Sequence, residues 1–532
     1  INNLPSENPE LWREYQRALR NSECTSKFLR ESGLYPLTGR GDINTYSVFA
    51  ERMRSILREG GRLGIIVPTG IATDDTNKNF FGEIVQKGEL VSLYDFENRK
   101  KFFPSIHGSY KFCLFTVKRG KQNLSTQSAT EFAFFCHDVS DLRNPDRIVH
   151  LTPQDLKLIN PNTKTVPIFR SRKDAELTKY IYRRFPVLIN EESGQNPWKV
   201  EFMRMFDMAN DSHLFRTKRQ LEDDGYKLSG NIFIKGSDRY LPLYEAKMVH
   251  HFNHRFGDFA DHPEGSESTQ LPEIPLERLQ DPNYVVLPRY WVPEAEVERL
   301  LSMKNWKHGW LLGWRNVTNV TNERTVISTV IPLIGVGNSY PVVFTFSDMK
   351  AYLVSILSAF VFDYIARQKI GNPNLNFFII EQFPILPPET FISPSPWNKT
   401  QTLAEFCKPR LLELVYTAWD LKPFAEDLGY YGEPFKFDPE RRFILRAELD
   451  GAFFHLYLGT HEEWKTTASR ELKELFPTPR DAVDYILEQF PIVKRKDEEK
   501  FGEYRTKRVI LEIYDKMNEA IITGSEWKSE LI

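Results

Sequence analysis

Apolar residues recur along the first 140 positions with two alternating periods. Tyr46, Phe49, Met53, Ile56 and Leu57 fall at helical spacing, which predicts an amphipathic helix over 43–59. Gly60-Gly61 supplies its stop. Arg62-Leu63-Gly64-Ile65-Ile66-Val67-Pro68 then reads as a fully buried strand of parallel type. A second helix is predicted over 77–86, ended by Gly88, and further strands over 90–96, 110–117 and 131–136. Helix, strand, helix, strand, strand predicts an α/β class. It is the rear half of a doubly wound, Rossmann-like sheet with an antiparallel hairpin at its edge.

Past residue 155 the pattern changes. Asn160-Pro161-Asn162-Thr163-Lys164-Thr165-Val166-Pro167 is turn chemistry and reads as a linker, followed by a basic amphipathic helix over 168–185. From 186 to about 388 short strands and loops mix without one period, and 257–283, rich in Pro, Glu and Ser, reads as a mobile loop. Pro384 to Pro396 is proline-rich and reads as a second boundary; beyond it long helical patterns dominate, with Leu411, Leu414, Val415 and Trp419 on one face. The expected organisation is therefore three domains, 1–155, 156–390 and 391–532, the second mixed α/β and the third helical.

A length of 532 residues exceeds one core and agrees with several domains. The net charge of −2 excludes a protein that binds nucleic acid over its whole surface, and leaves room for a local basic cleft. Four scattered cysteines with no C-x-x-C pair indicate neither a zinc site nor a disulfide framework. No apolar run approaches the ~18 residues that span a bilayer, so a cytoplasmic protein without membrane attachment is expected. No glycine-rich loop of the dinucleotide or P-loop type occurs.

Asp42-Ile43-Asn44-Thr45-Tyr46-Ser47-Val48-Phe49, then Gly60 to Pro68, then Phe102-Phe103-Pro104 resemble, in that order, the gamma-class adenine-specific DNA methyltransferases of restriction–modification and phage-defence systems, the large type II methylases above all. The resemblance covers about residues 35–120 by motif and the rest by organisation. It implies the rear half of a Rossmann-like methyltransferase sheet, a DNA target-recognition domain and a helical tail. It also implies S-adenosylmethionine as cofactor and double-stranded DNA as partner. Two parts of the family pattern are missing: the Asn-Pro-Pro-aromatic loop and the cofactor glycine motif. Asn8-Pro9 continues as Glu10 and Asn372-Pro373 as Asn374. In the family both parts lie upstream. The chain is thus expected to be the C-terminal part of such an enzyme, inactive and without tight cofactor binding until joined by the upstream remainder.

Phe103, with Pro104, is the residue the resemblance places against the flipped adenine, where an aromatic wall recovers stacking lost from the duplex. A pair of core phenylalanines at a strand end is the alternative. Asn44 and Tyr46 come from the segment bordering the cofactor side; a helix cap and a core aromatic are the alternatives. DNA is expected to be read between 166 and 388. Arg315, Asn316, Thr318, Asn322, Arg324 and Thr325 form one cluster, and Arg367, Lys369 and Asn374 another. Arg and Asn pair bidentately with guanine and adenine, and cations meet phosphates. Both clusters are expected on the face of Phe103.

Two rival chemistries are also present. Asp238 with Glu245-Ala246-Lys247 has the composition of a magnesium-dependent nuclease triad. His250, His251 and His254 are close in sequence, but no further ligand stands at zinc spacing, so no metal is assigned. A DNA-binding or scaffolding module of a defence complex, without its own catalysis, is the third reading.

Overall fold

A long helix, α1 (Pro9–Glu31), precedes the first sheet in a computed structural model that describes residues 1, 3–120, 129–262, 271–319, 321–370 and 373–531. The chain divides into two compact units, Ile1–Lys179 and Tyr180–Ile532. In the first unit, strands β1 (Arg62–Pro68), β2 (Leu90–Glu97), β3 (Lys111–Lys118), β4 (Thr130–Cys136) and β5 (Val149–Leu151) form one sheet in the order β1-β3-β2-β4-β5. The hairpin partner β3 does not lie at the edge. It inserts between β1 and β2, antiparallel to both, so that β1 and β2 run parallel. β2 also runs parallel to β4. Leu93, Phe96, Phe115, Val117, Phe132 and Phe134 form its core.

β1 departs from the fully buried strand its composition suggests. Among the described residues it pairs only with β3, and Ile66 is 59% exposed. Helix α2 (Thr45–Ser55), which packs beside β1, is inverted relative to its apolar stripe. It buries Val48, Glu51 and Arg54 while Phe49, Met53 and Ile56 stand exposed. The buried charges are satisfied: Arg54 donates to Glu89 at 2.7 Å and to Glu83 at 3.0 Å, and Glu51 accepts from the amide and hydroxyl of Thr38. Helix α1 buries no residue at all, and its Leu11, Tyr15, Leu19 and Phe28 are exposed. Helix α3 (Lys78–Gln86) buries Phe80, Phe81 and Ile84 as its period demands.

The second unit is mixed α/β with a helical C-terminal region. β6 (Val200–Met203) joins β11 (Trp310–Trp314), β12 (Ser328–Pro332) and β14 (Val342–Thr345) in a buried four-stranded sheet. β7 (Lys227–Ser229), β8 (Ile232–Lys235), β9 (Asp238–Tyr244) and β10 (Tyr290–Pro293) form a meander, extended by β13 (Gly335–Val336) alongside β9. The basic helix forms as α4 (Arg172–Arg184). The division differs from the three domains expected. The proline-rich stretch is no linker, because Phe383, Ile385 and Leu386 are buried. Helix α5 (Phe360–Arg367), before it, shares a core with α6 (Leu403–Val415), α7 (Pro439–Leu458), α8 (Pro479–Glu488) and α9 (Arg505–Thr523), after it. Part of the expected loop, 263–270, lies outside the described residues. The remainder is anchored, since buried Arg255 donates to the carbonyls of Leu279, Asp281 and Tyr284. No helix among the described residues is long and apolar enough to cross a membrane.

Candidate functional site

The carboxyl end of β2 leads into a short helical turn, Asn98–Lys100, and then the Phe102-Phe103-Pro104 turn. Asn98 fixes that turn. Its side-chain carbonyl accepts from the Phe103 amide at 2.9 Å, and its side-chain amide donates to the carbonyls of Phe103 and Ile106, each at 2.9 Å. Asn98 itself is buried, so all three bonds are sheltered from water. Phe103 is held edge-on against Phe112, ring centroids 5.1 Å apart, while it remains 41% exposed. Phe102 packs in the same manner on Phe96 and Phe112. The two rings are therefore partly anchored and partly free. Arg99, Lys100 and Lys101 precede them and are exposed on the same turn. Neither Asn98 nor this basic run was singled out by sequence. The signal available was cations directly before an aromatic pair.

Below this turn the carboxyl ends of β1, β2 and β4 gather a polar cluster. Asp95 is fully buried; it accepts from the Thr69 hydroxyl at 2.5 Å and from the Phe135 amide at 3.0 Å. Burial raises its carboxyl pKa, with Lys111, Thr69 and Phe135 opposing. The Lys111 ammonium lies 3.9 Å over the Phe135 ring, and burial lowers its pKa. In open α/β sheets ligands bind at the carboxyl ends of parallel strands. Tyr46 and Asn44 sit nearby. The Tyr46 hydroxyl accepts from Asn77 at 3.0 Å, and burial raises its pKa. Asn44 occupies the N-cap of α2 without making a side-chain capping bond. Gly70 is enclosed here: a Cβ would lie 2.3 Å from Asp74 and 2.9 Å from the Tyr46 hydroxyl.

In the second unit the two expected DNA-reading clusters adjoin. Val317 bridges Asn374, the Thr318 amide donates to Pro373, and the Asn316 side chain donates to Asn374 at 3.3 Å. All four of their charged side chains, however, those of Arg315, Arg324, Arg367 and Lys369, are engaged within the protein, and Thr318 and Thr325 are buried. Arg324 donates to Asp363 at 2.7 Å and to the Ser358 carbonyl at 2.7 Å. The Thr325 amide also donates to Asp363. Arg367 reaches Asp363 and the carbonyls of Gln489, Asn322 and Glu323. Lys369 donates to the Gln382 carbonyl at 2.6 Å, and burial pushes its pKa well down. The Arg315 guanidinium donates to the Val249 carbonyl, and burial lowers its pKa to about 10. Thr318 is buried and donates to the Thr325 carbonyl. Val317, Asn319, Thr321, Asn322 and Pro373 remain exposed, with Asn316 and Asn374 half-buried. Gly371 and Asn372, within the second cluster, lie outside the described residues.

The nuclease triad does not assemble. Asp238 opens β9 and Glu245 follows its last residue, about 24 Å away at ~3.4 Å per residue, and Glu245 is paired with Lys247 at 3.2 Å. Among the described residues no group of His, Cys, Asp and Glu could hold a metal ion. His254 instead pairs with Asp420 at 3.0 Å.

No protein family profile matches the chain, and no curated protein matches it. Among solved structures it is similar to the type IIG restriction endonuclease BpuSI, at 12% identity and a TM-score of 0.26. The match covers 96% of this chain and 53% of the other, so the chain spans about half that protein's length.

Proposed function

We propose that this chain is part of an S-adenosylmethionine-dependent, adenine-specific DNA methyltransferase, supplying a wall of the base pocket and sequence-specific contacts to double-stranded DNA in the cytoplasm. The observation that carries the reading is Phe103. Asn98 locks its backbone, Phe112 supports one edge, and its remaining surface is free at the carboxyl end of β2, one of the parallel strands of a mixed sheet. An extruded base needs such a platform, because stacking recovers part of the few kcal/mol lost on leaving the duplex. Arg99 and Lys100, which pair with Glu97 at 3.1 Å and Asp138 at 2.7 Å, and Lys101, which donates to the Ile106 carbonyl, are exposed cations on the same turn that would exchange these partners for the neighbouring phosphates. Asn44 and Tyr46 are assigned to the cofactor side, beside Gly70 and Asp74.

The partner is a further section of the same sheet, carrying the Asn-Pro-Pro-aromatic and glycine motifs. The unpaired edge of β1 and the outward stripe of Phe49, Met53 and Ile56 support this, since a strand edge and an apolar helix face both call for cover. Base readout is assigned to exposed Asn319, Thr321 and Asn322 with half-buried Asn316 and Asn374 beside them.

The test uses the product of the whole reading frame encoding this chain. It should methylate adenine in duplex DNA, and Phe103→Ala should lower methylation and the fluorescence of a flipped 2-aminopurine by tenfold or more. Unchanged methylation and fluorescence in a folded Phe103→Ala protein would remove the stacking role. Absence of any adenine methylation would remove the reading itself.

A further inference from the structure

A cavity of about 90 Å³ opens in the second unit between the turn His250–Phe252, the start of α5, and helices α7 and α9. That volume holds about six waters or one compact tetrahedral anion with a small substituent. Its walls carry polar groups that nothing in the protein satisfies. His251 is 4% exposed, and neither ring nitrogen has a hydrogen-bond partner. Arg446 lines the cavity and makes no hydrogen bond or ion pair with the described residues. Arg324, also in the lining, uses Nε on Asp363 and Nη2 on Ser358, and its Nη1 makes no hydrogen bond with the described residues. His250, half-buried, lines the same wall.

Charge points the same way. Around the cavity stand the cations Arg324, Arg367, Arg446 and Lys496 and the carboxylates Asp363, Asp450 and Glu323. Asp363 is shared by Arg324 and Arg367, Glu323 is paired with Lys496, and Asp450 accepts from the Phe360 amide. Glu323 and Asp450 line the cavity beside Arg324 and Arg446, but Glu323 is engaged by Lys496 and Asp450 by the Phe360 amide, so Arg446 has only the through-space attraction of Asp450. Both imidazoles have pKa values well below the usual one, first from burial and then from Arg315, Arg324 and Arg446 nearby. Water would fill the volume but would leave the Arg446 guanidinium without a hydrogen-bonded anion. Phe252, Phe360 and Phe443 line the apolar side and suit a small organic substituent.

We propose that this cavity is a binding site for a small phosphate-bearing molecule, with Arg446, Arg324, His250 and His251 as its donors. The cavity is too small for a nucleic-acid backbone, so the ligand is a free phosphate or a small phosphomonoester. The site is separate from the turn at Phe103, and the proposal does not depend on the methyltransferase reading.

Calorimetric titration of the whole chain with inorganic phosphate, and in parallel with methyl phosphate, tests this. One site per chain is expected, weakened at least tenfold by Arg446→Gln and less by Arg446→Lys, which keeps the charge. Arg495→Gln, on an exposed helix face, should bind as the parent does. Phosphorus NMR line broadening on the parent and on His251→Gln gives a second readout if Arg446→Gln fails to fold. No saturable binding to the folded parent, or equal binding by the parent and both cavity variants, would overturn the proposal. Displacement of phosphate by a short DNA duplex would overturn it as well, since it would transfer the donors to backbone contact.

Discussion

Asp363 is fully buried and accepts from Arg324, from Arg367 and from the Thr325 amide. Two guanidinium groups and a backbone amide converge on one carboxylate, so the carboxylate fixes the loop that carries Arg324 to helix α5. Removing one partner of such a pair leaves buried charge behind. Asp363→Ala should therefore cost about 3–5 kcal/mol, read as a shift in urea unfolding. Arg324→Ala should fall in the same range and leave the base preference of any DNA binding unchanged. The sequence made Arg324 look like a base reader because it stands in a loop of Asn and Thr. Its partner lies 39 residues away on another element, and no local period records that distance. The same reason hid the roles of Arg315 and Lys369, whose acceptors are carbonyls, and of Arg367, which reaches three carbonyls besides Asp363. Carbonyls belong to every residue and leave no trace in a sequence.

At the scale of elements, legibility followed locality. The strands β1 to β4 and the helices α2 and α3 arise where period and turn residues place them, because both signals are confined to neighbouring residues. What period does not encode is which face is covered. The stripe of Phe49, Met53 and Ile56 predicted a buried face for α2, whereas Arg54 and Glu51 are the buried side chains, each with a charged or polar partner. The insertion of β3 between β1 and β2 is likewise a matter of pairing between segments rather than of composition. The Phe102-Phe103 turn is a third case. Its position was legible and its mechanism was not, because Asn98 acts through three backbone groups. Asn98→Ala strips those groups of their partners in a sheltered place, so a loss of about 2–3 kcal/mol is expected from chemical unfolding of the chain. If the turn holds Phe103 for stacking, the same substitution in the active enzyme should lower base flipping while Phe103 itself is intact. A full stability loss with unchanged flipping would restrict Asn98 to a structural role.

For the molecule as a whole, buried titratable groups in the second unit set its response to pH. His455 stacks on Tyr514 at 3.8 Å, and its Nε2 donates to the Tyr514 carbonyl, so Nε2 carries the proton of the neutral ring. Burial lowers its pKa from 6.5 to about 4. The unfolded chain then binds a proton that the folded chain refuses, so stability is present above about pH 6.5 and is lost as the pH falls toward 4. A shift of that size corresponds to about 3 kcal/mol. His250 and His251 are shifted in the same direction and add to the loss. Asp450 acts oppositely. Burial raises its carboxyl from 3.8 to about 6, against the pull of Arg324 and Arg446. The folded chain keeps a proton that the unfolded chain has released, so its contribution grows as the pH falls from 6 toward 3.8. The two effects overlap between pH 4 and 6 and offset one another. Asp450→Asn should remove the offset and make the decline in stability below pH 6 steeper than in the parent, while His455→Gln should make it shallower. Urea unfolding between pH 4 and 7.5 reads both slopes. The slope, and not the level at pH 7, separates a titrating group from one that merely packs, since a substitution that only loosens the core displaces the whole curve without changing its steepness.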